Sequence, residues 1–343
     1  MKKYLYSLIV FTLFFVVNMN PLVAQEEEKK EVEEGWKSGA GIGLDFAQLF
    51  QLNPKQGAGL NRIGFGGATN FFANYRKDRL AWDNLASWQF GVQRLGAGVI
   101  AQGSNTAKIP FQKSIDELRL NSKVGYATSE NSNLFYAADL SFLSQVTPTY
   151  DNADYAGNFL SDVFGNSRQL SKLFSPATVI LSLGMNYKPN DKLSIYYSPL
   201  GAKWIIVADD SIAARGVHGN PVEGPLGPDG LYIDYKNVDS QLGSLIKLNY
   251  ADKYFKDKAT FTSVLSLYSN YLKKPENIDV DWTNEFAVSI AKGLQLAITV
   301  NVFYDDDVNV QITDNDQPNG VKPYLGKRVS LTEQLLIKYN LTF

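Results

Sequence analysis

The chain has 343 residues, a formal net charge of −2, no Cys, a single His, and 13% aromatic residues. That balance speaks against a nucleic-acid partner, and the missing Cys excludes disulfides, thiolate metal sites and lipid attachment at a Cys. Abundant Tyr and Phe, many Gly and short alternating segments point to an all-β chain.

In chain order, Met1–Ala24 reads as a secretory signal peptide: Lys2 and Lys3, an apolar run over Leu5–Val17, and Leu22-Val23-Ala24 before a cleavage point at Gln25. The run is shorter than the roughly 20 residues of a spanning helix. Residues 25–35 are strongly acidic with little to bury, which predicts a disordered periplasmic tail. The remainder, residues 36–343, reads as one β domain.

Twelve strands are predicted there: Trp36–Phe50, Arg62–Arg76, Leu80–Leu95, Ser114–Ala127, Asn133–Thr147, Pro176–Tyr187, Lys192–Val207, Leu231–Tyr250, Lys258–Tyr271, Ile278–Ile290, Leu294–Asp305 and Arg328–Phe343. Successive side chains of a strand point to opposite faces. In the fourth, Leu118, Leu120, Val124 and Tyr126 oppose Glu117, Arg119, Asn121 and Lys123. In the tenth, Val280, Trp282, Phe286, Val288 and Ile290 oppose Asp279, Asp281, Thr283 and Glu285. The last strand sets Leu335, Ile337, Tyr339, Leu341 and Phe343 against a mostly polar face. It resembles the closing strand of a bacterial outer-membrane β-barrel, whose terminal aromatic belongs to the signal read by the insertion machinery; Ile337, Tyr339, Leu341 and Phe343 are the candidate assembly signal.

The connections alternate. Long ones cover Gln51–Asn61, Gly96–Lys113, Pro148–Ser175, Ala208–Gly230 and Asp306–Lys327, and those between are short turns; Leu272–Asn277 breaks the rule. Short turns on one side, long loops on the other and an even strand number are the plan of a transmembrane antiparallel up-and-down β-barrel with periplasmic termini. Trp36, Tyr75, Trp82, Tyr126, Tyr187, Tyr250 and Tyr339 fall near strand ends, as interface girdles require.

Five stretches carry a family resemblance: Leu120–Tyr126, Leu183–Asp191, Tyr197–Lys203, Tyr268–Asp279 and Phe303–Val308. Together they resemble a Bacteroidota family of exported proteins known only as a domain of unknown function. The resemblance covers nearly all of the mature chain. It implies an outer-membrane barrel reached after signal-peptide export, and it lends no activity and no catalytic residue. Where members carry a Trp-Ala-Gly-Gly-like segment, this chain has Gln56–Asn61 without Trp.

Chemistry is sparse. Membrane-embedded phospholipases and acidic–His proteases, the alternative reading, need a positioned His. His218 is the sole His and stands in a Gly/Pro-rich loop, so no catalytic residue is assigned. Gly39-Ala-Gly-Ile-Gly43 and Gly64-Phe-Gly-Gly67 lack the strand–loop–helix context of a nucleotide fingerprint and read as barrel packing glycines. The polar strand faces remain. Arg76, Asp83, Glu117, Arg119, Lys123, Asp139, Lys247, Asp279, Asp281, Glu285 and Lys338 are candidate lumen residues, forming either a salt-bridged filling or a charged pore. Asp305, Asp306, Asp307, Asp314 and Asp316 form a weak Ca²⁺ candidate in the loop after the eleventh strand; no other cofactor is expected. The expected partners are outer-membrane lipid and the barrel assembly machinery, with a monomeric state. The reading is therefore a non-enzymatic barrel, either a narrow channel or a structural or surface-binding protein.

Overall fold

The computed structural model describes residues 34–52, 62–93, 111–151, 158–163, 165–312 and 325–342. The signal peptide and acidic tail expected before Glu34 lie outside the described residues, as do Phe343, Asp314 and Asp316. Twelve strands form a closed antiparallel barrel: β1 (Gly35–Leu52), β2 (Arg62–Lys77), β3 (Leu80–Gln93), β4 (Gln112–Ala127), β5 (Leu134–Ser144), β6 (Ala177–Asn190), β7 (Leu193–Ile206), β8 (Val238–Tyr254), β9 (Ala259–Asn270), β10 (Asp279–Ala291), β11 (Leu294–Tyr304) and β12 (Ser330–Thr342). Each pairs with its sequence neighbour, and β12 closes on β1 from Gly41↔Thr342 to Leu52↔Leu331. Closure satisfies every strand edge, which a bilayer demands because lipid offers no hydrogen bonds.

One strand differs from the sequence expectation. The eighth was expected from Leu231; β8 begins at Val238, and Tyr232–Tyr235 belongs to a separate two-stranded ribbon with Val222–Leu226. Both segments alternate, so periodicity alone runs them together. The short turns arise where residues tolerate positive φ: Asp78 (φ 48) joins β2 to β3 and Gly293 (φ 76) joins β10 to β11. At this end the aromatic girdle is visible: the Trp36 ring lies 5.2 Å from Tyr75 and 5.5 Å from Trp82, and Tyr126, Tyr187 and Tyr339 are exposed.

The outer wall is apolar. Ile42, Phe65, Phe71, Leu120, Leu183 and Ile337 project outward and are exposed. A strand as short as the 11 residues of β11 still spans about 28 Å at 3.3 Å per residue and a tilt near 40°, which matches a hydrocarbon core. Among the described residues no helix is long and apolar enough to cross a membrane.

Above the long-loop end of β5–β8, the loops fold. A short helix α1 (Asp210–Ala213), capped by Asp209, buries Ile212 and Ala213 against Val207, and Tyr235 packs on this cluster. Thr149–Asp151 pairs with Arg168–Ser171 beside it.

Candidate functional site in the barrel interior

Ion pairs between strands that are not neighbours identify the inner face, because such contacts must cross the lumen. Lys188 (β6) reaches Asp83 (β3) at 3.8 Å, and Lys247 (β8) is bonded to Asp139 (β5). Lys123 (β4) approaches the same Asp139 at 3.7 Å and lies 4.8 Å from the centre of the Tyr196 ring on β7. Lys203 (β7) meets Asp279 (β10) at 2.8 Å and Asp305, just past β11, at 3.3 Å. Lys338 (β12) meets Glu285 (β10) at 2.5 Å. Arg76 pairs with Asp83 on the adjacent strand. Arg119 (β4) binds Glu117 on its own strand and reaches Asp281 on β10, six strands away around a ring of twelve, at 3.8 Å.

All eleven sequence candidates thus take part in ion pairs. Asp279 is taken by Lys203, Glu285 by Lys338 and Lys123 by Asp139; only Arg119 and Asp281 meet across the barrel. Lys188 and Lys203 complete these pairs and were not singled out in the sequence. Their partners are fixed by barrel geometry, which local alternation does not encode.

Register partners share a face, so each inward residue fixes a row around the wall. Arg119 pairs with Ser87, Ser87 with Asn70 and Asn70 with Gly41. Alternation then places Gly39, Gly43, Gly64, Gly66, Ala68, Leu85 and Asn121 on the same inner face. Here the interior is wet: Leu85 is 43% exposed, Asn70 is exposed, and Arg119 keeps 38% of its side chain accessible. Across the lumen, Val264 on β9 pairs with Thr283, two places along the strand from Asp281, and it too is exposed at 45%.

The other side is packed. Tyr196 and Leu245 are fully buried, with Ala137 and Tyr268 completing one cluster, and Ser182 Oγ lies 3.0 Å from the Tyr196 hydroxyl. Lys203, Asp139, Gln241 and Asn186 are buried there as well. A Cβ on Gly243 would stand 2.0 Å from the carbonyl of Ser269, so only Gly admits that approach of β8 to β9. A smaller buried group, Ala287, Ala297 and Leu336, lines β10–β12. The interior is therefore packed most densely around Tyr196 and Leu245 on β7 and β8, with a second buried patch at Ala287, Ala297 and Leu336, while Leu85, Asn70 and Val264 on β3, β2 and β9 stay exposed.

Of the candidate assembly-signal residues, three are described and lie on the closing seam: Ile337 and Tyr339 face outward and exposed, and Leu341 pairs with Ile42. Of the metal candidates, Asp305, Asp306 and Asp307 are described, and Asp279 joins two of them. Asp279, Asp305 and Asp306 bring carboxylate oxygens within 4.8 Å of one another. The Lys203 ammonium already stands against Asp279 and Asp305; Lys274 and Lys327 lie 3.8 and 3.9 Å from Asp306, and Lys273 pairs with Asp307 at 2.8 Å. These are neutralised acids rather than a group presenting bare negative charge. His218 Nε2 lies 2.9 Å from the Leu170 carbonyl oxygen, and burial together with nearby Arg215 holds its imidazole below the usual range. The charged group nearest its imidazole is the cation Arg215.

A family model described as "Protein of unknown function (DUF3078)" matches residues 50–150. No curated protein matches the chain. Among solved structures, it is similar to the translocator domain of the autotransporter NalP from Neisseria meningitidis, at 7% identity, covering 90% of this chain and 89% of that one with a TM-score of 0.38. An outer membrane channel from Pseudomonas putida F1 is similar at 11% identity over 92% and 100% of the two chains, TM-score 0.38. The NanC porin is similar at 9% identity over 87% and 100%, TM-score 0.37. At these values the likeness is one of barrel outline.

Proposed function

We propose that the protein is a non-enzymatic outer-membrane channel with a narrow passage displaced to one side of its lumen. One observation carries this: on the inner face of a closed wall, Leu85 and Val264 stay exposed, although burying them would be favourable, and Asn70 is exposed on the same face. The inner faces of β1 and β2 explain the room. They carry Gly39, Gly41, Gly43, Gly64, Gly66 and Ala68, with Phe72 and Asn74 on the same face nearer the short turns, so small residues border much of the space. The apolar outer wall and its girdle of aromatics support insertion in a bilayer, and the strand plan supports periplasmic termini after export.

The passage suits small solutes moving down a gradient, with hydrogen-bonding groups from Asn70, Ser87, Asn121, Thr283 and Asn301 along it. Planar-bilayer recording of the refolded chain tests this. Wild type should conduct; Ala68→Trp and Asn70→Trp, which place an indole on the wet side, should reduce conductance several-fold. Tyr196→Phe, which keeps the filled side filled, should leave it unchanged. A wild type that conducts no better than bare lipid overturns the reading.

A further inference from the structure

The row that narrows the proposed passage most is the one where opposite walls touch. Arg119 leaves β4, takes Glu117 Oε1 with its Nε, and brings Nη2 within 3.8 Å of Asp281 Oδ2 on β10. Asp281 is held in turn by Asn301 Nδ2 at 2.8 Å, which also donates to Thr283 Oγ1 at 2.8 Å. Both ends of the crossing are thus anchored to the wall. Toward β1 the register partners of Arg119 are Ser87, Asn70 and Gly41, short or absent side chains, whereas Leu143 on β5 stands beside Arg119 and Phe303 on β11 beside Asp281, so the strut has least bulk next to it on its β1–β3 side. All three charged groups retain solvent access of about a third, between 32% and 38%.

From this geometry we infer that Glu117, Arg119 and Asp281 form the selectivity constriction of the channel, with Arg119 as a strut that limits its width and two carboxylates that make it prefer small cations over anions. The inference rests on the channel reading above.

The charge argument is local. Two carboxylates and one guanidinium leave one negative charge at this level, and charged groups at a constriction decide which ions pass. Elsewhere along the wet side, Lys338 cancels Glu285. At the short-turn mouth, Arg76 and Lys188 share Asp83, leaving a positive excess where the lumen meets bulk solution. Charges there are screened over about 10 Å at 0.1 M salt, so the mouth is a weaker determinant than a crossing where ion and wall are in contact. The guanidinium also has a defined alternative: it can stay on Glu117 while its longer contact to Asp281 opens. On its own strand the guanidinium donates a hydrogen bond to Glu117, whereas 3.8 Å is an ion contact and not a hydrogen bond.

The test uses the refolded full chain in planar bilayers under a KCl gradient, with detergent-gel mobility and circular dichroism to confirm each variant's barrel. Arg119→Ser should raise conductance several-fold and move the reversal potential further toward K⁺. Asp281→Asn and Glu117→Gln should each move it toward Cl⁻, and Arg119→Lys should keep selectivity near wild type. Glu117 and Asp281 each keep about a third of their side chains accessible, so water reaches the carboxylates that Arg119→Ser leaves without a cation, and the Asn and Gln replacements keep side-chain shape. Two results overturn the inference while leaving the channel standing: a conducting wild type whose conductance and reversal potential ignore Arg119→Ser and Asp281→Asn, or a reversal potential that responds to Arg76→Gln and not to Asp281→Asn. A protein silent in wild type and in every variant brings down the channel reading itself.

Discussion

On the inner face of β7, Tyr196 is wholly buried; on the inner face of β3, Leu85 is 43% exposed. Both side chains point into the same closed barrel. Lysines show the same contrast with their acids. Lys247 and Lys123 are shielded around an almost buried Asp139, while Lys188 and Arg76 share an Asp83 that keeps a third of its surface in solvent. The comparison teaches that a polar inner face does not by itself define a pore. The same residue types fill a lumen when aromatics and β-sheet close around them and border a passage when glycines stand opposite.

The largest expected effect breaks that comparison directly. Asp139→Ala removes the carboxylate shared by two shielded ammonium groups, and stranding buried charges of this kind costs about 3–5 kcal/mol. Asp83→Ala removes a carboxylate with as many cationic partners, but in water, where such pairs contribute about 0–1 kcal/mol. Thermal unfolding in detergent should therefore show a large drop for Asp139→Ala and almost none for Asp83→Ala. Equal losses would mean that the two sides are equally wet or equally dry.

A second pair sharpens it. Tyr196→Ala opens a cavity among Ala137, Leu245 and Tyr268 and gives up the Ser182 contact, at a cost of about 3–5 kcal/mol by analogy with large-to-small aromatic changes. Leu85→Ala leaves no cavity, because its outer surface already faces water, so the loss should fall below about 1 kcal/mol. The same two proteins should invert their order in bilayers: Leu85→Ala widens the passage and raises conductance, while Tyr196→Ala changes it less. A stable Tyr196→Ala would show that the β5–β8 side is not packed in the folded protein.

Much of the fold could be read from the chain because the signals are local. Alternation such as Leu118–Tyr126 and turns such as Lys77-Asp78-Arg79 set the strand number and the order of long and short connections. The division of the lumen could not. In β7, Ser194, Tyr196 and Ser198 face inward and Ile195, Tyr197 and Pro199 outward, so both faces mix apolar and polar residues and neither declares itself. Lys203 sits between Ala202 and Trp204 with nothing nearby in sequence to pair with; its acids are 76 and 102 residues away. The glycines of β1 and β2 were legible as packing residues. Their role as a border of open space needs the register that sets Gly41 in line with Asn70, Ser87 and Arg119.

The smallest effect concerns the cap above the filled side. Asp209 accepts from Lys172 Nζ at 2.5 Å and from Ser211 Oγ at 2.6 Å, and it caps α1 through the Ile212 amide. The Lys172 bond, then the Ser211 bond, hold its carboxyl well below the ordinary range, at about 2. A carboxyl depressed on folding contributes stability that is fully present above its unfolded value near 4 and is lost as pH falls through the folded value. The cap should therefore stay closed at mildly acidic pH and loosen only between about pH 4 and 2. Carbon-detected NMR of the Asp209 carboxyl in micelles should give a midpoint near that depressed value, and Lys172→Ala should raise it toward the ordinary range. If the cap seals the packed side, channel conductance along β1–β4 should be indifferent to Lys172→Ala. A conductance that changed with it would show that the cap also controls the wet side, and the two halves would then act as one unit.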